Sequence, residues 1–182
     1  MPQTDLRDEI YPHIAPEFYT WLLFQSEVEN KHFDVEGIGP VEVRLEDRLT
    51  FASDGEDKSR TVVTGTDAPA SAETKAALIS GKVITDAKLV LRLPGNSYML
   101  TLKGDLCDIS SLKQVSEDAD ESTIVIEEDD TKDAFLLLRM QEYEDIVRII
   151  QTLFKAFVKE RATDEWYSTT LQEMRRWVHD EV

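Results

Sequence analysis

Between Phe33 and Lys103 apolar side chains mostly return every second residue, while on both flanks they return every third or fourth. A period of two belongs to a strand with one buried face, and a period near 3.6 belongs to an amphipathic helix. A chain that enters the first pattern and leaves it again is neither all-helical nor all-β. The switch predicts an α+β fold: an antiparallel sheet with an N-terminal helix, a short middle helix and a C-terminal helical pair packed on it.

The first helix is expected over residues 16–30, with Pro16 at its first position. Phe18, Trp21, Leu22 and Gln25 share one face, and Leu23 and Phe24 widen it, so this helix packs on more than one side. The alternating zone divides into short strands at Phe33–Val35, Val41–Leu45, Leu49–Phe51 and Arg60–Thr64. Gly37-Ile38-Gly39-Pro40 is a hairpin-like link, and Ser53–Asp57 a turn. Residues 71–80 read as the middle helix, capped by Ser71 and stopped by Gly81. Strands Val83–Leu93 and Ser97–Lys103 follow, joined by Pro94-Gly95-Asn96. Residues 105–133 hold 11 acidic groups and two lysines, which predicts a solvated loop around Ser116–Ser122 with a short β-prone run, Thr123–Ile126.

From a cap at Thr131 or Asp133 the helical period returns. Residues 134–161 place Ile146, Ile149, Ile150, Leu153, Phe154, Phe157 and Val158 on one side. A last helix runs from Asp164 to His179, with Trp166, Leu171, Met174, Trp177 and Val178 as its apolar side.

The length of 182 residues predicts a single domain, 1–182, with an acidic sheet-rich part to about 131 and a helical part from about 132. Its apolar runs, such as Ala134–Leu138, fall far short of the roughly 20 residues that span a bilayer, so no membrane partner is expected. The first residues lack the basic and apolar regions of a signal peptide. The single cysteine, Cys107, allows no internal disulfide, and a cytoplasmic location is expected. The net charge is −17. Residues 1–131 hold 12 Lys and Arg against 27 Asp and Glu, whereas residues 132–182 hold 8 against 10. Such a field repels polyanions, so nucleic-acid contact requires local segregation of cations.

Catalytic and metal signals are missing from the pattern. His13, His32 and His179 show none of the i, i+3 or i, i+4 spacings by which a helix presents two ligands. Glu127-Glu128-Asp129-Asp130 lacks the spaced Asp/Asn-Gly pattern of a calcium loop. Cys107 lies between Asp105 and Asp108, which raise a thiol's pKa, and reads as a small buried hydrophobe. Gly37-Ile38-Gly39 runs into Pro40 and a strand, which makes a turn and not a phosphate loop. No catalytic residue, metal site or cofactor is expected, and the chain reads as a non-enzyme.

One polar feature is patterned. Arg148, Lys155 and Lys159 lie at i, i+7 and i+11 on one face of the long helix, with Arg161, Arg175 and Arg176 close in sequence. Aligned cations can track a phosphate backbone, and these six are the candidate DNA contacts. The ordinary alternative is the wet face of an amphipathic helix, with Glu144 and Arg148 paired at i, i+4. Trp166, Tyr167 and Trp177 could stack on bases, but buried anchors are their commoner use.

Three stretches carry a family likeness. They are Glu17–Glu27 (EFYTWLLFQSE), Ala72–Lys82 (AETKAALISGK) and Leu153–Arg161 (LFKAFVKER), the last continued by Trp166 and Arg175-Arg176-Trp177-Val178. In this order, from about residue 16 to 178, the chain resembles the C-terminal half of bacterial proteins related to the recombination-associated protein RdgC. The resemblance implies a non-enzymatic protein of DNA recombination that binds double-stranded DNA without sequence preference as a ring-shaped dimer. A ring acidic outside and basic inside would reconcile that role with the net charge. The competing expectation is an acidic protein-interaction module without nucleic-acid binding, whose helical third meets another protein or a second copy of the chain.

Overall fold

The computed structural model describes residues 14–29, 32–53, 59–115 and 129–180. His13, the run Thr123–Ile126, the loop Ser116–Ser122, Glu127–Glu128 and most of the turn Ser53–Asp57 lie outside the described residues. Within them the fold is the expected α+β arrangement.

Helix α1 spans Ile14–Phe24 and widens into one π-helical turn, Gln25–Glu29. It begins two residues earlier than predicted, so Pro16 sits inside the first turn, where a missing N–H costs nothing. Phe18, Tyr19, Trp21, Leu22, Leu23 and Phe24 are all buried, as expected of a helix covered on several sides.

The six strands described are β1 (His32–Val35), β2 (Gly39–Ala52), β3 (Arg60–Thr64), β4 (Val83–Leu93), β5 (Asn96–Lys103) and β6 (Asp108–Val115). They form one sheet of order β1-β2-β4-β5-β6, with β3 also paired to β2, and every pairing is antiparallel. β1 and β3 lie end to end along one edge of β2, which explains its 14 residues. The two short strands predicted at 41–45 and 49–51 are therefore one strand. A register shift between Leu45 and Leu49 accommodates Glu46–Arg48 and returns both leucines to the core face.

One further expectation is corrected, and one strand is added. Leu93 pairs with Asn96, so the β4–β5 turn is Pro94-Gly95 alone, with Gly95 at φ +87°. Strand β6 was not predicted. A register shift between Met99 and Thr101 puts Ser111 at φ +56°, so Ile109 and Leu112 stand three apart although both pack toward the core. The bulge erases the period of two that would have announced the strand.

Helix α2 (Ala72–Ile79) follows β3, and the Ser71 hydroxyl accepts from the Thr74 N–H at its start as predicted. Helix α3 runs from Asp129 to Arg161, 33 residues, starting earlier than the predicted cap. After Arg161 a π-helical turn, Trp166–Thr170, leads into α4 (Leu171–His179). The core lies between the sheet and α1, the C-terminal half of α3, and Trp166 and Met174 of the last helical segment. Its centre is aromatic: Phe18 meets Phe154 edge-on at 5.2 Å, and Phe157 meets Trp166 edge-on at 5.7 Å. The Trp21 indole N–H donates to Glu160 Oε2 at 3.1 Å, and the Thr170 hydroxyl donates to Glu160 Oε1 at 2.9 Å, so one carboxylate ties three helical segments together. Val158, grouped by sequence with the buried side, is exposed. Among the described residues no helix is long and apolar enough to cross a membrane.

Candidate interaction surfaces

The six candidate DNA contacts divide in two. Arg148 has Asp145 within 3.7 Å, a partner one turn away in place of the expected Glu144. Arg161 lies 13 residues beyond Arg148, about 220° around the helix, and faces α1. There its Nε donates to Glu17 Oε2, and this hydrogen bond holds the guanidinium pKa above its ordinary value. Lys155, Lys159, Arg175 and Arg176 are exposed, and among the described residues none has a carboxylate at ion-pair distance. Lys155 and Lys159 keep the shared face that their spacing predicts; Arg175 and Arg176 belong to α4. Trp166 is buried and Trp177 packs edge-on against Phe24 at 6.1 Å, so both are anchors, while Tyr167 is exposed.

His32 and His179 are surface side chains. Among the described residues no three His, Cys, Asp or Glu are grouped to hold a metal ion. Cys107 is half-buried, with its backbone at φ +53°. Burial pushes its thiol pKa up and Asp108 and Asp105 add to this, against a hydrogen bond with Tyr19 that pulls the other way. At neutral pH it is a thiol, not the thiolate that a nucleophile requires. The Tyr19 hydroxyl donates to the Gly104 carbonyl at 2.9 Å, and burial, followed by Cys107, drives its pKa far above the ordinary phenol range.

The most unusual surface belongs to α3. Thirty-three residues make a helix about 50 Å long, whereas five strands abreast at about 4.8 Å span roughly 20 Å. The helix is longer than the layer is wide, and its first half is the less covered, bordering the sheet where Arg139, Glu142 and Tyr143 meet Leu112–Gln114 of β6. Ile146, Ile149, Ile150, Leu153 and Phe157 are buried. In the preceding half Leu136, Leu137 and Leu138 are 59, 66 and 58 % exposed, and Phe135, Met140 and Tyr143 are exposed beside them. Six large apolar side chains, each about half exposed, leave on the order of 600 Å² of apolar surface in water around this stretch of helix. A helix apolar on every side is stable in water only when something covers it.

This overhang continues into a groove. Leu136, Met140, Tyr143, Val147, Ile150 and Phe154 follow one another at spacings of 4, 3, 4, 3 and 4, which is one seam of a helix that packs lengthwise on another. Val147, Ile150 and Phe154 form one wall of a cavity of about 400 Å³, whose other side is Ile14, Leu106 and Ile109. Sequence alone showed the apolar run 134–138, but the point at which the sheet stops supporting the helix depends on strands paired far away in the chain. No family model matches this sequence, and no curated protein is similar to it.

Proposed function

We propose that this chain is a non-enzymatic binding protein whose helical third pairs with a second copy of itself along α3. The observation that carries this reading is the apolar overhang, continuous with a groove along a single heptad-spaced seam. A two-fold pair requires a patch complementary to itself. Reflected about Asp145, the seam maps onto itself: Leu136 meets Phe154, Met140 meets Ile150, and Tyr143 meets Val147. The same reflection sets Glu142, which bonds Arg139 within its own chain at 3.1 Å, opposite Arg148, twice. Each overhang then lies against its partner's groove. Charge favours this surface too, because the helical third is nearly neutral while the rest of the chain repels a copy of itself.

Sedimentation equilibrium across a hundredfold range of concentration tests the pairing. The expected result is a monomer–dimer equilibrium that Met140→Glu shifts to monomer. Glu142→Arg alone weakens the pair, and Glu142→Arg combined with Arg148→Glu restores it, which fixes the register. A parent chain that stays monomeric throughout overturns the proposal.

A second reading is backbone contact with DNA, the role implied by the resemblance to RdgC-related proteins. Its support is the four exposed cations that have no carboxylate at ion-pair distance among the described residues: Lys155, Lys159, Arg175 and Arg176. Binding of a short duplex at low salt, steeply salt-dependent and lost on charge reversal at Lys155 and Lys159, is its expected signature. No duplex binding at low salt removes it. A cytoplasmic setting fits either reading and rests on the single cysteine.

A further inference from the structure

The polar face of the sheet gathers cations that sequence inspection of the helices passed over. Arg48, Arg60, Lys88 and Lys103 line a depression of about 170 Å³, together with Thr101 and Asp86. Strand pairing puts them there. Thr50 pairs with Asp86 and Asp86 with Lys103 in one cross-strand row, while Lys88 pairs with Thr101 in the next. Arg48 enters beside Lys88 because of the register shift between Leu45 and Leu49. Two more irregularities frame the same spot, between Thr50 and Phe51 and between Met99 and Thr101. The second sets Ser111 in the left-handed region on the rim. Bulges bend strands and re-aim side chains, and here they turn a pleated face into a dish.

The internal ion pairs leave donors over. Arg60 bonds Asp86 at 3.2 Å, and Lys88 bonds Asp47 at 2.9 and 3.1 Å. Arg48 and Lys103 have no carboxylate at ion-pair distance among the described residues, and they lie diagonally across β4 in neighbouring rows, about 12 Å apart by strand and residue spacing. A volume of 170 Å³ equals five or six waters at about 30 Å³ each, room for one or two phosphate groups. We propose that this dish binds the phosphate or diphosphate group of a small phosphorylated molecule, with Arg48 and Lys103 as its principal donors and Thr101 as a hydroxyl partner. The ligand is short for an electrostatic reason. Four cations are concentrated at the dish, but a −17 body surrounds them, and a long polyanion leaving it would run over acidic surface.

Isothermal titration of the full chain with sodium pyrophosphate at low ionic strength tests the assignment, with inorganic phosphate and a short DNA duplex as parallel arms. One pyrophosphate per chain is expected, with Arg48→Gln and Lys103→Gln each weakening it about tenfold, the loss of one charged hydrogen bond. Arg92→Gln, on the same face but bound to Glu42 and outside the dish, leaves binding within about twofold of the parent. Both donor positions are surface sites, so unliganded melting temperatures should stay unchanged and exclude misfolding as the cause. Absence of pyrophosphate binding at millimolar concentration overturns the proposal, as does binding that both variants leave intact. Duplex binding that depends on Arg48 and Lys103 while pyrophosphate fails overturns it in favour of a polynucleotide. Because the dish lies across the sheet from α3, the outcome is independent of self-pairing.

Discussion

The two halves of α3 carry similarly apolar sequences and meet opposite fates. Ile146 to Phe157 lie under α1 and against the sheet, where Phe157 touches the rings of Phe18, Trp21, Phe154 and Trp166. Phe135 to Tyr143 hold their apolar side chains in the open. Composition does not distinguish the halves. What does is the reach of the sheet: Arg139, Glu142 and Tyr143 still border Leu112–Gln114 at the end of β6, whereas Phe135 to Leu138 are exposed. An apolar helix segment thus states a need for cover, and the topology decides whether the chain itself supplies it.

Substitutions can break this contrast or sharpen it. Phe157→Ala removes a fully buried ring from the aromatic centre and should cost about 3–5 kcal/mol in urea unfolding. A cost below about 1 kcal/mol would mean that the covered half is not the anchor. Trp21→Phe keeps an aromatic ring but withdraws the indole donor from Glu160, and should cost about 1–2 kcal/mol. Adding Glu160→Gln should then cost much less than it does in the parent, which a double-mutant cycle measures.

The polar face of the sheet supplies a smaller test. At Glu42 burial opposes ionisation, but the Arg44 hydrogen bond and the charges of Arg44 and Arg92 outweigh it and hold the pKa below the usual carboxylate range. A pKa lowered by folding adds stability above the unfolded value and loses it as pH falls through the folded one. Glu42→Gln should therefore cost no more than about 1 kcal/mol at pH 7, with the difference from the parent closing as the medium becomes acidic. Smallest of all, Leu137→Ala in the overhang should change unfolding of the monomer by less than about 0.5 kcal/mol, although Leu and Phe are both core residues by type. A large loss there, at concentrations too low for pairing, would show that the overhang is already covered.

Much of the architecture was legible because β-strands and helices write different periods. Val41, Val43 and Leu45 announce a strand, as Ile146, Ile149 and Leu153 announce a helix face, and Ser71 announces a cap. What was hidden depends on register. Three residues, Glu46–Arg48, looked like a break between strands but are a bulge inside one, and Ser111 concealed β6 in the same manner. The candidate surfaces were legible in part. Lys155 and Lys159 share a face as their spacing requires, but Arg161 turns to α1, a difference fixed by helical phase and readable from 13 residues at 100° each. Arg48, Lys88 and Lys103 stand on polar positions of their strands, yet only the paired register reveals that they converge. The overhang needs the sheet's width, which no local window contains.

Hydrogen–deuterium exchange of α3, measured at a dilute and a concentrated sample of the same protein, tests the division of the helix most directly. Self-pairing predicts that amides from Phe135 to Tyr143 exchange slowly when concentrated and rapidly when dilute, while those from Ile149 to Phe157 are equally protected in both. Exchange that is the same at both concentrations throughout Phe135–Tyr143 would contradict it.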